Sequence, residues 1–145
     1  MSKISKIKIK CSECGKKFKT DFWASVNISI NPELKGKVLS GEINTKTCPK
    51  CSSSVKIEHP ILYHDMDNKI LLWIHWLTKE DVDKIPEKDK ENVRKIMRLK
   101  YENEIDSRVR YVFEDYKKDV VFNKDDLNKK IKELEHQSMV LNACK

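Results

Sequence analysis

The chain has 145 residues, 37% of them charged and 39% hydrophobic, with a formal net charge of +7. That is the length of one ordinary domain with a small core. The longest apolar run, Ile70 to Ile74, is far too short to span a bilayer, and no repeat of about 20 residues or longer is visible. Lysines interrupt the apolar residues of Met1–Lys10, so the stretch lacks the apolar region of a secretion signal, and a soluble cytoplasmic protein is expected. Charge is uneven: residues 1–60 carry 12 Lys against five acids, whereas residues 61–145 carry 18 Lys and Arg against 18 acids.

Ile4, Ile7 and Ile9 among lysines predict a short first strand. From Phe18 to Ile30 the even positions are mostly apolar and the odd ones mostly polar, which predicts a long half-buried strand, bent near Ala24. Asn31-Pro32-Glu33 is a helix start and Gly41 a stop, enclosing a compact helix. Val55–Glu58 and Ile61–His64 read as one strand broken by Pro60, followed by a turn at Asp65–Asn68 and a returning strand, Ile70–Leu77. Both faces of that last strand are apolar. It therefore needs a cover on each side, from the C-terminal helices or from a second subunit in a homodimer.

Thr78 and Asp81 signal a short helix, Pro86 interrupts it, and Val93, Ile96, Met97 and Tyr101 have the spacing of another. Arg108–Phe113 fits strand or helix. Leu127, Ile131, Leu134, Ser138 and Leu141 recur at three and four, behind Asn123 or Asp125 as a cap, and predict a terminal amphipathic helix.

Chemistry concentrates in the cysteines. Cys11 and Cys14 form Cys-x-x-Cys-Gly, 33 residues separate them from Cys48, and Cys48 and Cys51 form Cys-Pro-x-Cys. Two such turns supply four thiolates to one tetrahedral ion, with a structural zinc expected and iron as the rival, because these turns also resemble those of rubredoxin. A disulfide framework does not suit a chain without a secretion signal, and a thioredoxin-like redox pair would need one such motif on a strand-to-helix turn. Four cysteines close the coordination shell, so the metal would be scaffolding, contributing on the order of 10 kcal/mol to folding. A divalent ion on four thiolates adds a charge of −2, which part of the lysine excess neutralises. Cys144, the odd cysteine, reads as a free thiol.

The match extends beyond the cysteines. Trp23-Ala-Ser-Val-Asn27, Asn31-Pro32-Glu33-Leu34-Lys35 and Val38-Leu39-Ser40-Gly41-Glu42, ahead of Cys48-Pro49-Lys50-Cys51, resemble the segment between the cysteine turns of CpXC-domain proteins. Pro60–Asp65 and the strand ending near Trp73 resemble that family's next block, so the likeness covers roughly residues 8–76 well. Val121-Phe122-Asn123, Asp126-Leu127 and Ile131–Leu134 resemble its final helix more loosely. Cys-Ser-Glu-Cys in the first turn and Ser52 after the second depart from the family's pattern, which affects turn geometry and not the number of ligands. The resemblance implies a zinc-ribbon fold and no particular activity.

The expected architecture is α+β, with a small antiparallel zinc-ribbon-type domain over residues 1–77 and a mostly helical extension over 78–145. Lys3, Lys6, Lys8, Lys10, Lys16, Lys17 and Lys19, interleaved with Phe18, Phe22 and Trp23, are the candidate nucleic-acid surface, with a solvated basic face as the plain alternative. Tyr63-His64-Asp65, with His59 and His75, would have to converge on one pocket to act as acid and base, although neighbours on a strand point to opposite faces. Three glycines leave little room for a phosphate-binding loop, and no nucleotide motif or nucleophile elbow is present. A non-catalytic zinc module presenting a surface to nucleic acid or to a protein partner is the resulting expectation.

Overall fold

The structure, a computed structural model, describes residues 2–77 and 79–143, with side chains omitted at 79, 138 and 141–143. Thr78 as a cap, the side chains of Ser138 and Leu141, and Cys144 lie outside the described residues. In chain order the elements are β1 (Lys3–Lys10), β2 (Lys17–Asn27), α1 (Glu33–Ser40), β3 (Thr45–Thr47), β4 (Ser54–Lys56), β5 (Ile61–Asp65), β6 (Ile70–Ile74), α2 (Lys79–Asp83), α3 (Glu87–Glu104), β7 (Lys117–Val121) and α4 (Lys124–Ala143). A single 3-10 turn, Arg110–Phe113, stands where the sequence fitted strand or helix.

Five strands form one sheet in the order β1-β2-β5-β6-β7, and β3-β4 make a separate two-stranded hairpin. The expected antiparallel sheet is thus a mixed one. β1/β2 and β5/β6 are antiparallel, but β2/β5 and β6/β7 are parallel, each parallel step requiring a crossover. The first crossover carries α1 and the β3-β4 hairpin, and the second carries α2 and α3. β7 lies beyond residue 77 and pairs with β6, so the C-terminal part contributes to the sheet as well as to the helices. Val55–Glu58 and Ile61–His64 are likewise not one interrupted strand: the segment around Pro60 carries the chain from the hairpin into the large sheet.

β6 is buried along its whole length. Ile70, Leu72 and Ile74 belong to a cluster with Leu34 and Val38 of α1 and Leu127, Ile131 and Leu134 of α4. Leu71 and Trp73 belong to a second cluster, covered by Val93, Met97 and Tyr101 of α3 and by Phe113 and Tyr116. Both covers come from the same chain. Lys35 pairs with Glu135 at 2.5 Å and Asn128 Nδ2 donates to Leu39 O at 3.1 Å, tying α1 to α4.

The bend near Ala24 is a bulge. Lys3 lies opposite Ser25 and Ile4 opposite Trp23, leaving Ala24 unpaired. The bulge breaks the period of two, and the even positions no longer share one face. Val26 and the half-buried Trp23 both join the first cluster, while Phe22 is buried elsewhere, against the ring of His59. Asn31-Pro32-Glu33 and Gly41 bound α1 as expected, and Gly41 ends it with φ 78°, donating to Val38 O at 3.1 Å. No helix among the described residues is long and apolar enough to cross a membrane.

The two covers differ in depth, since α3 has no fully buried residue and Leu127 of α4 is 0% exposed. Leu127→Ala is expected to cost about 3 kcal/mol, and Met97→Ala about 1 kcal/mol, in the urea unfolding free energy. Equal losses would contradict the unequal covering.

Candidate metal centre

β2 meets β5 only over Ser25–Asn27, so most of its length pairs with β1 alone, as an arm outside the main sheet. Cys11 and Cys14 occupy the turn of this arm, and Cys48 and Cys51 occupy the turn of the β3-β4 hairpin. Both turns close in the same way. Gly15 N donates to Cys11 O at 2.9 Å and Cys11 N to Lys16 O at 2.9 Å; Ser52 N donates to Cys48 O at 3.0 Å and Cys48 N to Ser53 O at 2.9 Å. The equivalent residues Gly15 (φ 76°) and Ser52 (φ 63°) are both left-handed. Serine therefore reproduces the glycine conformation, at a steric cost of roughly 1 kcal/mol.

The four sulfurs lie within 4.8 Å of one another, with Cys11 and Cys51 Sγ 3.6 Å apart and Cys14 and Cys48 Sγ 3.5 Å apart. A tetrahedral ion with metal–sulfur bonds of about 2.3 Å needs sulfurs about 3.8 Å apart. The donor set fits such an ion. All four expected ligands are brought together, and among the described residues this is the one group of three or more metal-binding side chains.

The backbone prepares the thiolates. The Cys51 amide, with that of Lys50, lowers Cys48, and the Ser53 hydroxyl and amide hold Cys51 at about 6. The amide at Lys16 favours the Cys14 thiolate, but desolvation and the three other sulfurs outweigh it and push that thiol up to about 11. Crowded sulfurs without an ion share protons, and an ion would replace those protons.

One positioning residue has no signature in the sequence. Asn44, buried and left-handed at φ 61°, accepts from Trp23 N at 2.7 Å and donates to Trp23 O at 2.9 Å, so its amide acts as a ladder partner beside the bulge. Its own carbonyl accepts from Ile57 N at 2.9 Å. Asn44 thereby fastens the β3-β4 hairpin to β2 and sets where the two cysteine turns meet. Asn44→Ala is expected to cost about 2 kcal/mol and to speed transfer of the metal to a chromogenic chelator, both read against the unsubstituted protein.

Tyr63, His64 and Asp65 do not converge. Tyr63 is buried in the first cluster, whereas His64 is on the opposite face, its Nε2 3.2 Å from the Tyr116 hydroxyl and its ring edge-on to Phe113. The Asp65 carboxylate accepts from Asn68 N at 3.1 Å and from Asn68 Nδ2 at 2.8 Å, closing the β5-β6 turn. His75 Nε2 meets the Tyr101 hydroxyl, and the His59 ring lies tilted against Phe22. The acid-base arrangement that Tyr63, His64 and Asp65 would need is therefore absent.

Burial lowers both His64 and His75. Each is less easily protonated folded than unfolded, so its stabilising contribution is full above the ordinary value near 6.5 and is lost as pH falls through the folded value. Urea midpoints are expected to drop between pH 7.5 and 5, and less so in a His64→Gln/His75→Gln variant.

An α+β fold in which two hairpin turns bring four cysteines together in a group that could hold a metal ion defines the class of protein. The chain belongs to the CpXC protein family, whose model matches residues 9–145. No curated protein and no solved structure matches it.

Proposed function

We propose that the protein is a zinc-binding module of ribbon type, in which the ion is structural and the function is to present a surface to a macromolecular partner. The observation that carries this reading is the pair of equivalent cysteine turns, which offer four sulfurs and leave no coordination position for water. The reaction chemistry of a zinc-bound water needs an open position, and four thiolates fill all of them. Cys11 and Cys48 are buried, Cys14 is partly exposed and Cys51 is exposed.

Zinc is preferred over iron because the site joins two small hairpins that have little core of their own, a role that needs no change of oxidation state. Nucleic acid is the preferred partner because the lysine excess gathers on the arm that the metal holds. The family membership is compatible with this role and assigns no activity.

Metal analysis and a visible spectrum of the untagged protein test the reading. One zinc per chain and no visible absorption are expected, with Cys14→Ser and Cys48→Ser each binding the ion far more weakly and melting earlier. A red protein containing iron would convert the site to electron transfer. A chain that folds unchanged with no metal would remove the structural role.

A further inference from the structure

The arm carries an arrangement of charge that its own stability does not explain. Opposite residues in an antiparallel pair share a face, and the register sets Lys10 opposite Lys17, Lys8 opposite Lys19 and Lys6 opposite Asp21. Five ammonium groups thus project from one side of a two-stranded ribbon. Like charges in directly opposite positions are destabilising. All five of these lysines are exposed, and none of them has an ion-pair partner among the described residues.

Lysine on a sheet edge discourages pairing with other chains, which accounts for charge on β1. Both strands of the arm are open edges outside Ser25–Asn27, but edge protection alone does not call for lysines set directly opposite one another. The position of the arm adds a second constraint, because outside Ser25–Asn27 β2 has no ladder partner but β1, and the lysine face lies clear of both core clusters.

The aromatic residues decide what kind of polyanion suits this face. Phe18 is opposite Ile9 and Ile7 is opposite Thr20, so these side chains project from the other side of the ribbon. Phe22 is buried against His59, and Trp23 packs on the first cluster. The interleaving of lysine and aromatic side chains in the sequence therefore becomes a separation in space. Binding of unpaired strands relies on aromatic platforms for the bases beside cationic groups for the phosphates. A face of five lysines with one acid, Asp21, and no aromatic side chain offers contacts to phosphates and no platform for bases, and suits a duplex whose bases are already stacked.

From this geometry we infer that the lysine face of the β1-β2 arm, formed by Lys6, Lys8, Lys10, Lys17 and Lys19, binds the phosphate backbone of double-stranded nucleic acid without reading its sequence. The inference rests on the proposed role of the metal in holding the arm. Along each strand the ammonium groups recur at about 6.8 Å, and across the ribbon their Cβ atoms are about 5 Å apart, a grid of cations that can follow a backbone.

The test uses the full-length, metal-loaded protein, with a fluorescent DNA duplex of mixed sequence and a single strand of equal length as probes. Each variant is assayed for metal content in parallel. Duplex binding is expected to exceed single-strand binding, to be indifferent to a change of sequence, and to weaken with salt at a log-log slope of about −4.5 for five phosphate contacts. In the quadruple variant Lys8→Gln/Lys10→Gln/Lys17→Gln/Lys19→Gln the slope should shrink to about −0.9. That variant should also keep its full metal content, because none of the four lysines is among the candidate ligands. Tighter binding of the single strand, or unchanged duplex binding by the quadruple variant, would overturn the inference. So would a metal-loaded protein that ignores duplex at low salt, a result that leaves the face to an acidic protein partner and the zinc reading intact. Loss of binding that tracks loss of metal, with the lysines unchanged, would locate the failure in the metal site.

Discussion

Burying both faces of β6 is the constraint from which the architecture follows, because Ile70, Leu71, Leu72, Trp73 and Ile74 leave it no side that water can occupy. An antiparallel ribbon would cover neither face. The chain supplies covers by crossing over, with α1 and α4 meeting Ile70, Leu72 and Ile74, and α3 meeting Leu71 and Trp73. Such crossovers bring in parallel neighbours, which is why β5 follows β2 in parallel and β7 follows β6 in parallel. The cysteine arm stands outside this arrangement: the sheet holds β2 at Ser25–Asn27, and next to that Asn44, Trp23 and the buried Phe22 fasten it.

Features whose chemistry is local were legible in the sequence. The spacing of Cys11, Cys14, Cys48 and Cys51 encodes two turns of fixed geometry, and Asn31-Pro32-Glu33 with Gly41 encodes the ends of a helix whose hydrogen bonds close within a few residues. The double apolar face of β6 was legible too, since a need for two covers follows from composition alone. The C-terminal helices were one of the two covers expected, but the choice between them and a second subunit, and the share taken by α1, depend on contacts between residues tens of positions apart.

β7 was missed for a related reason. Lys117, Lys118 and Asp119 make it look like a solvated segment, but Lys117 Nζ donates to Leu134 O at 3.3 Å and Asp119 pairs with Lys130 at 2.8 Å, so an edge strand accommodates charge against α4. Asn44 had no signal because its partner, Trp23, is 21 residues away and the bond is to backbone. The alternation from Phe18 to Ile30 was read as one face, and one extra residue at Ala24 exchanges the faces along it.

A divalent ion on four thiolates leaves a charge of −2 at the tip of the arm, beside the Lys10-Lys17 pair and one step from Lys8-Lys19. At physiological salt the field of such a site fades over about 8 Å, so it offsets the first pair more than the second. On the zinc reading, the ion therefore acts twice. It pins two turns that have little core to hold them, and it reduces the repulsion nearest the tip while leaving the cations farther along the ribbon free to meet an external polyanion. A metal-free arm would lose both effects together, which couples the shape of the charged face to occupancy of the site.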